Sequence, residues 1–164
     1  MNDEELVALI FYLSNGRIRG LTRLNKIIFL LQDEFKLDNF SFVAFKYGPW
    51  SKELDSLVNS LTKRGLIKIE KTYDLAYSFL QEKPVKILIA SSQFLKIGKE
   101  VFEEIRRKDF VLATLLKRRV LSYSTVPITY LLAYIYSKYP SFMTNSIIKE
   151  RIKAWKKFYG LEVD

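Results

Sequence analysis

The chain contains no cysteine and no histidine. The first absence excludes a disulfide scaffold, and the two together exclude a Cys/His zinc site. Without histidine, every Ser-His, Cys-His or imidazole general-base mechanism is also excluded. Any catalysis falls to Asp, Glu, Lys, Arg, Ser, Thr or Tyr. Glycine is sparse, six residues scattered over 164, so no Gly-rich phosphate loop is present. The longest apolar runs, Leu6–Leu13 and Leu131–Tyr136, fall far short of the ~18 residues that a spanning helix needs. The first five residues carry three acids, the reverse of a signal peptide's basic start. These absences point to a soluble cytoplasmic protein with no membrane partner.

What is abundant is positive charge. Lys and Arg total 27 against 18 Asp and Glu, a net +9. Residues 1–64 hold 9 basic and 8 acidic groups, 65–108 hold 9 and 6, and 109–164 hold 9 and 4. The excess grows toward the C-terminus. Such a balance favours a polyanion such as nucleic acid, although solubility alone also accounts for it. At 49% apolar and 27% charged, the composition is that of a folded domain.

Hydrophobic spacing predicts helices over 3–14, 21–35, 52–64, 93–108, 109–122, 127–138 and 146–158. Asn2 or Asp3 caps the first, Ser51 the third, and Asn145 or Ser146 the last. In helix 21–35, Leu24, Ile27, Ile28, Leu31 and Phe35 form the stripe, while Arg23, Lys26 and Asp33 fall on other faces. A β-prone run over 40–47 ends at Gly48-Pro49. Alternation over 66–72 marks a half-buried strand. Leu75–Leu80 and Val85–Ala90 supply further strands about a turn at Glu82-Lys83-Pro84. The expected fold is mainly α with a small β-hairpin: residues 1–108 in a helix, helix, strand, helix, strand, strand order, and residues 109–164 as a helical extension suited to dimerisation.

That order is the winged helix-turn-helix order, in which the third helix is presented to the major groove. "SKELDSLVNSLTKRGLI" (51–67) resembles such a helix running into a wing strand, and "FLKIGKE" (94–100) resembles the segment that follows the last wing strand in these regulators. "GLTRLNKIIFLLQ" (20–32), followed by "FVAFKYGPWSKEL" (42–54), is similar to the YwgA-like group of small prokaryotic proteins, related to the SocA-like or Panacea antitoxin domains. The matching residues are Leu24, Asn25, Lys26, Tyr47, Gly48, Pro49 and Trp50. The tail "LLAYIYSKYPSFMTNSIIKERI" (131–152) resembles the C-terminal part of the same group. The resemblance implies a winged-helix-like fold and a regulatory or antitoxin-type role that can act through protein partners. It implies no enzymatic activity.

Several residues are candidates for contact with double-stranded DNA. Lys52, Ser56, Asn59 and Lys63 share one face of helix 52–64 opposite its leucines, and their side chains can bond to base edges or phosphates. An ordinary solvated face is the plain alternative, and Glu53 and Asp55 on or beside it would repel phosphate. Arg64 is the first arginine of this segment. Lys68 and Lys71, with Tyr73 alongside and Lys83 and Lys86 across the hairpin, are wing candidates or else edge-strand lysines that discourage aggregation. Arg17, Arg19 and Arg23 surround the first helix connection and form either a phosphate clamp or a basic turn without a partner. Lys149, Lys153, Lys156 and Lys157 make one basic face of the last helix. Such a face could grip nucleic acid or an anionic membrane, but Ile148, Ile152, Trp155 and Tyr159 opposite it match a docked helix better.

The alternative partner is a protein, met by Trp50 and by Tyr130 and Tyr134, which lie four apart on one helix face. Tyrosine is enriched at interfaces, so this pair also suits a homodimer. The adjacent acids Asp33-Glu34 and Glu103-Glu104 diverge by about 100° and form no two-carboxylate site. No metal site, cofactor or enzymatic activity is expected.

Overall fold

The computed structural model describes residues 1–73 and 84–161. The expected strand 75–80 and Lys83 lie outside the described residues. The chain is mainly helical, with a small antiparallel sheet and a separate two-stranded hairpin.

Helix α1 (Asp3–Leu13) starts with a capping box. Asn2 Oδ1 accepts from the Glu5 amide, and the Glu5 carboxylate accepts from the Asn2 amide. Strand β1 (Arg17–Arg19) follows, then α2 (Leu21–Phe35). The hairpin β2 (Val43–Phe45) and β3 (Gly48–Trp50) leads into α3 (Lys52–Lys63). Strands β4 (Ile67–Thr72) and β5 (Val85–Ala90) precede α4 (Ser92–Lys108). The remainder is α5 (Phe110–Thr125), α6 (Ile128–Lys138), a 3-10 turn (Pro140–Met143) and α7 (Lys149–Phe158).

The main sheet has the order β1-β5-β4. Ile18 pairs with Leu88, and Ile69 pairs with Leu88 from the other side. Arg17–Arg19, expected to be a turn, is thus a strand. Its single central isoleucine is buried while both arginines stay in solvent. The second correction concerns Gly48-Pro49. The pair does not end the extended run but continues it as β3, with Ala44 opposite Pro49 and Val43 opposite Trp50. The chain reverses between Phe45 and Gly48, whose φ of 93° suits a residue without a Cβ.

Two apolar cores form. The first joins α1, α2, α3, the sheet and α4. Here Phe11 meets Phe94 edge-on at 5.9 Å, and Tyr12 meets Phe102 at 5.8 Å. This core does not stop at residue 108, because Ala113, Leu116 and Val120 of α5 belong to it. The second core gathers Leu30 and Val85 with α6, Ile148 and Ile152. Helix α2 lies between the two and is buried nearly all round. Arg23 and Lys26, which lie off its apolar stripe, are therefore inside the protein.

Candidate functional site

Helix α3 is set by two contacts at its first turn. Ser51 Oγ accepts from the Leu54 amide at 3.2 Å, and the Ser51 amide donates to Asn25 Oδ1 at 2.9 Å. Burial of Leu54, Val58 and Leu61 then fixes the rotation of the helix. Lys52, Ser56, Asn59 and Lys63 are all exposed along the opposite face. Asp55 is turned away from solvent. One of its carboxylate oxygens accepts from Trp50 Nε1 at 2.6 Å and the other from Asn25 Nδ2 at 3.3 Å. Glu53 stays exposed and accepts from Ser51 Oγ.

The basic residues around α3 fare differently. Arg64 makes a two-pronged bond to Glu4, at 2.8 and 3.0 Å, which holds its guanidinium above its ordinary pKa. Lys68 and Arg17 are exposed and flank Glu70, at 3.5 and 3.7 Å. Lys71 and Arg19 are exposed on their strands. Arg23 does not join Arg17 and Arg19 in a phosphate clamp. It is 4% exposed, and its Nη1 donates to the carbonyls of Tyr123 at 2.8 Å and Val126 at 2.7 Å. A guanidinium suits this task because its several donors can satisfy the orphaned carbonyls that end α5.

A cleft of about 280 Å³ lies beside α3. Leu21, Thr22, Asn25 and Lys26 of α2 form one wall, and Asp55 and Asn59 of α3 another. The β2–β3 hairpin contributes Phe45, Lys46, Tyr47, Gly48 and Trp50, and Lys86 comes from β5. Phe45 stacks on Trp50 with ring centres 5.0 Å apart. Lys26 is 2% exposed, and its Nζ donates to the Pro49 carbonyl at 2.8 Å. Burial lowers its pKa to about 7, against the opposing pull of Asp55. Asn25, Lys26, Tyr47, Gly48, Pro49 and Trp50 are thus one spatial unit.

From sequence alone Lys26 is only one of the residues that carry the resemblance, and Asp55 only an acid that would repel phosphate. The signal available was the juxtaposition of "NK" on an apolar helix with the "YGPW" turn. Buried polar residues look like surface residues until a fold encloses them.

Tyr130 and Tyr134 lie parallel, 6.4 Å apart, and Tyr159 of the chain's own C-terminal segment meets Tyr130 edge-on at 5.2 Å. Both rings are half-buried, so much of the expected partner surface is spent within the chain. Helix α7 docks by Ile152, with Trp155 packed against the second core, and Lys149, Lys153 and Lys157 stay exposed. Among the described residues no cluster of three carboxylates gathers to hold a metal, and no helix is long and apolar enough to cross a membrane.

No family model, curated protein or solved structure matches the chain.

Proposed function

We propose that the protein binds double-stranded DNA without catalysing a reaction, on a winged helix-turn-helix scaffold, and acts as a transcriptional regulator. In this reading α2 and α3 are the helix-turn-helix pair, α3 enters the major groove, and β4–β5 is the wing. The order α1-β1-α2-β2-β3-α3-β4-β5, in which the hairpin stands where a short turn would join the two helices, and the sheet order β1-β5-β4 support it. The observation that carries it is the α3 surface. Lys52, Ser56, Asn59 and Lys63 face solvent together, and of the two acids on or beside that face Asp55 is drawn back onto Trp50 while Glu53 stays exposed. Lys68 and Lys71 on β4 and Arg17 and Arg19 on β1 are exposed and suit backbone contacts, with Lys68 and Arg17 also flanking Glu70. Arg23 is withdrawn from the set, and Arg64 reaches DNA only by leaving Glu4.

The test is fluorescence anisotropy on a labelled duplex from the gene's own upstream region, against a random duplex, across a salt series. The expected result is preference for the upstream duplex with an affinity that falls as salt rises, at a log–log slope of about 0.9 per phosphate contact. The double variant Lys52→Glu/Lys63→Glu is expected to abolish binding. Binding unchanged by that pair would remove α3 from the interface.

A second reading is favoured by a different observation. The β2–β3 hairpin exposes Val43 by 54% and Phe45 by 44%, next to Trp50. Under this reading the same scaffold is an antitoxin-like or adaptor module, and the hairpin meets a protein partner. No binding to either duplex at low salt, despite the net +9, would favour it over the first.

A further inference from the structure

We infer that the cleft between α2, α3 and the β2–β3 hairpin is a binding site for a small aromatic oxyanion, a flat ring carrying a phosphate or carboxylate group. The inference goes beyond the DNA reading and does not depend on it.

Three observations carry it. The first is the state of Lys26. An ammonium has three N–H donors, and among the described residues one acceptor, the Pro49 carbonyl, receives a hydrogen bond from it. A nearly fully buried ammonium that lines an open cleft with donors to spare is set for an anion entering that cleft. The second is the charge of the lining. Lys26, Lys46 and Lys86 stand against Asp55, whose two oxygens are already held by Trp50 and Asn25. The first turn of α2 adds to this. It opens at Gly20 with no side-chain cap and no acidic residue, and Leu21 and Thr22 from that turn line the cleft. The third is the aromatic content. Phe45, Tyr47 and Trp50 of the hairpin are all among the lining residues. A cleft of about 280 Å³ fits one ring with its charged group.

The test uses the full chain with Trp155→Phe, which leaves Trp50 as the remaining tryptophan. Phenyl phosphate is titrated at pH 6 while Trp50 emission is followed, with inorganic phosphate and phenol as parallel probes. The expected result is a saturable change with phenyl phosphate, at least about tenfold tighter than with either half-molecule. Lys26→Met is expected to weaken it by about 10- to 100-fold, as loss of a charge-assisted hydrogen bond does. Raising the pH from 7 to 9, where phenyl phosphate is already a dianion, is expected to weaken it too, since Lys26 gives up its proton in that range; Lys46, Lys86 and Asp55 are the other charged groups of the lining. If Lys26→Met does not fold, the wild-type chain labelled with ¹³C at lysine Cε answers instead: the Lys26 signal is expected to move on phenyl phosphate addition. The inference is overturned by no saturable response to phenyl phosphate at millimolar concentration. Equal affinity in Lys26→Met, an unmoved Lys26 signal, or inorganic phosphate binding as tightly as phenyl phosphate would overturn it as well.

Discussion

Lys26→Met keeps the length of the side chain and removes its charge, so the pH dependence of stability isolates what the ammonium costs. In the folded protein Lys26 titrates at about 7, against an ordinary value of 10.5. Below pH 7 both folded and unfolded chains hold the proton, and the cost of burying it is constant. Between about pH 7 and 10.5 the unfolded chain holds it and the folded chain does not. Wild-type stability therefore gains up to about 1.4 kcal/mol per pH unit from this group as pH rises. Urea unfolding of both proteins from pH 6 to 10 is expected to show the variant faring best, relative to wild type, at the acid end, and losing that advantage as pH rises. A flat difference would mean that Lys26 is not buried as described. Arg23 makes the opposite case, a charge whose removal hurts throughout. Arg23→Ala leaves two carbonyls at the end of α5 without their donor and is expected to cost about 3 kcal/mol or more, measured by the same unfolding experiment. Tyr136→Phe is expected to be neutral or stabilising. Its hydroxyl is fully buried and makes no well-formed hydrogen bond among the described residues, and burial pushes its pKa up to about 12 against a weaker opposing pull from the Ser146 side chain.

Between elements, the tightest joint is α1 against α4. A Cβ on Gly98 would lie 2.2 Å from the Ala8 carbonyl oxygen, so the two helices touch there through bare backbone. Gly98→Ala is expected to destabilise the fold by at least about 2 kcal/mol, although alanine is the better helix former, because the helices must separate. A higher melting temperature in the variant would contradict that packing. The helices themselves were legible in the sequence. Leu24, Ile27, Ile28 and Leu31 repeat at helical spacing, and Ser51 and Gly65 bracket α3 as cap and stop. Strand β1 was not legible, because three residues with one apolar centre carry no periodicity, and its identity depends on β5 some seventy residues later. The hairpin was half legible. The aromatic run was visible, but proline beside glycine reads as a terminus, and only the pairing of Ala44 with Pro49 makes it a strand. For the same reason α3's outward face could be read from spacing alone, while the cleft could not. Asn25, Lys26 and Asp55 come from two helices whose relative placement no local pattern encodes.

At the scale of the whole molecule, the boundary expected near residue 108 is crossed by the first core, which includes Ala113, Leu116 and Val120. A fragment ending at 108 is expected to aggregate or to lack a cooperative unfolding transition, checked by circular dichroism and thermal unfolding beside the full chain. The bond from Arg23 to Tyr123 and Val126 sharpens the point, since it joins residues 100 and 103 positions apart. Protein synthesis runs from the N-terminus at about 5–20 residues per second. On a ribosome, α2 is therefore complete for about 5–20 s before the carbonyls that receive its guanidinium have been made. Through that interval the two α5 carbonyls that receive the Arg23 guanidinium do not yet exist, and the first core lacks one of its walls. The first core therefore closes only after α5 has been made.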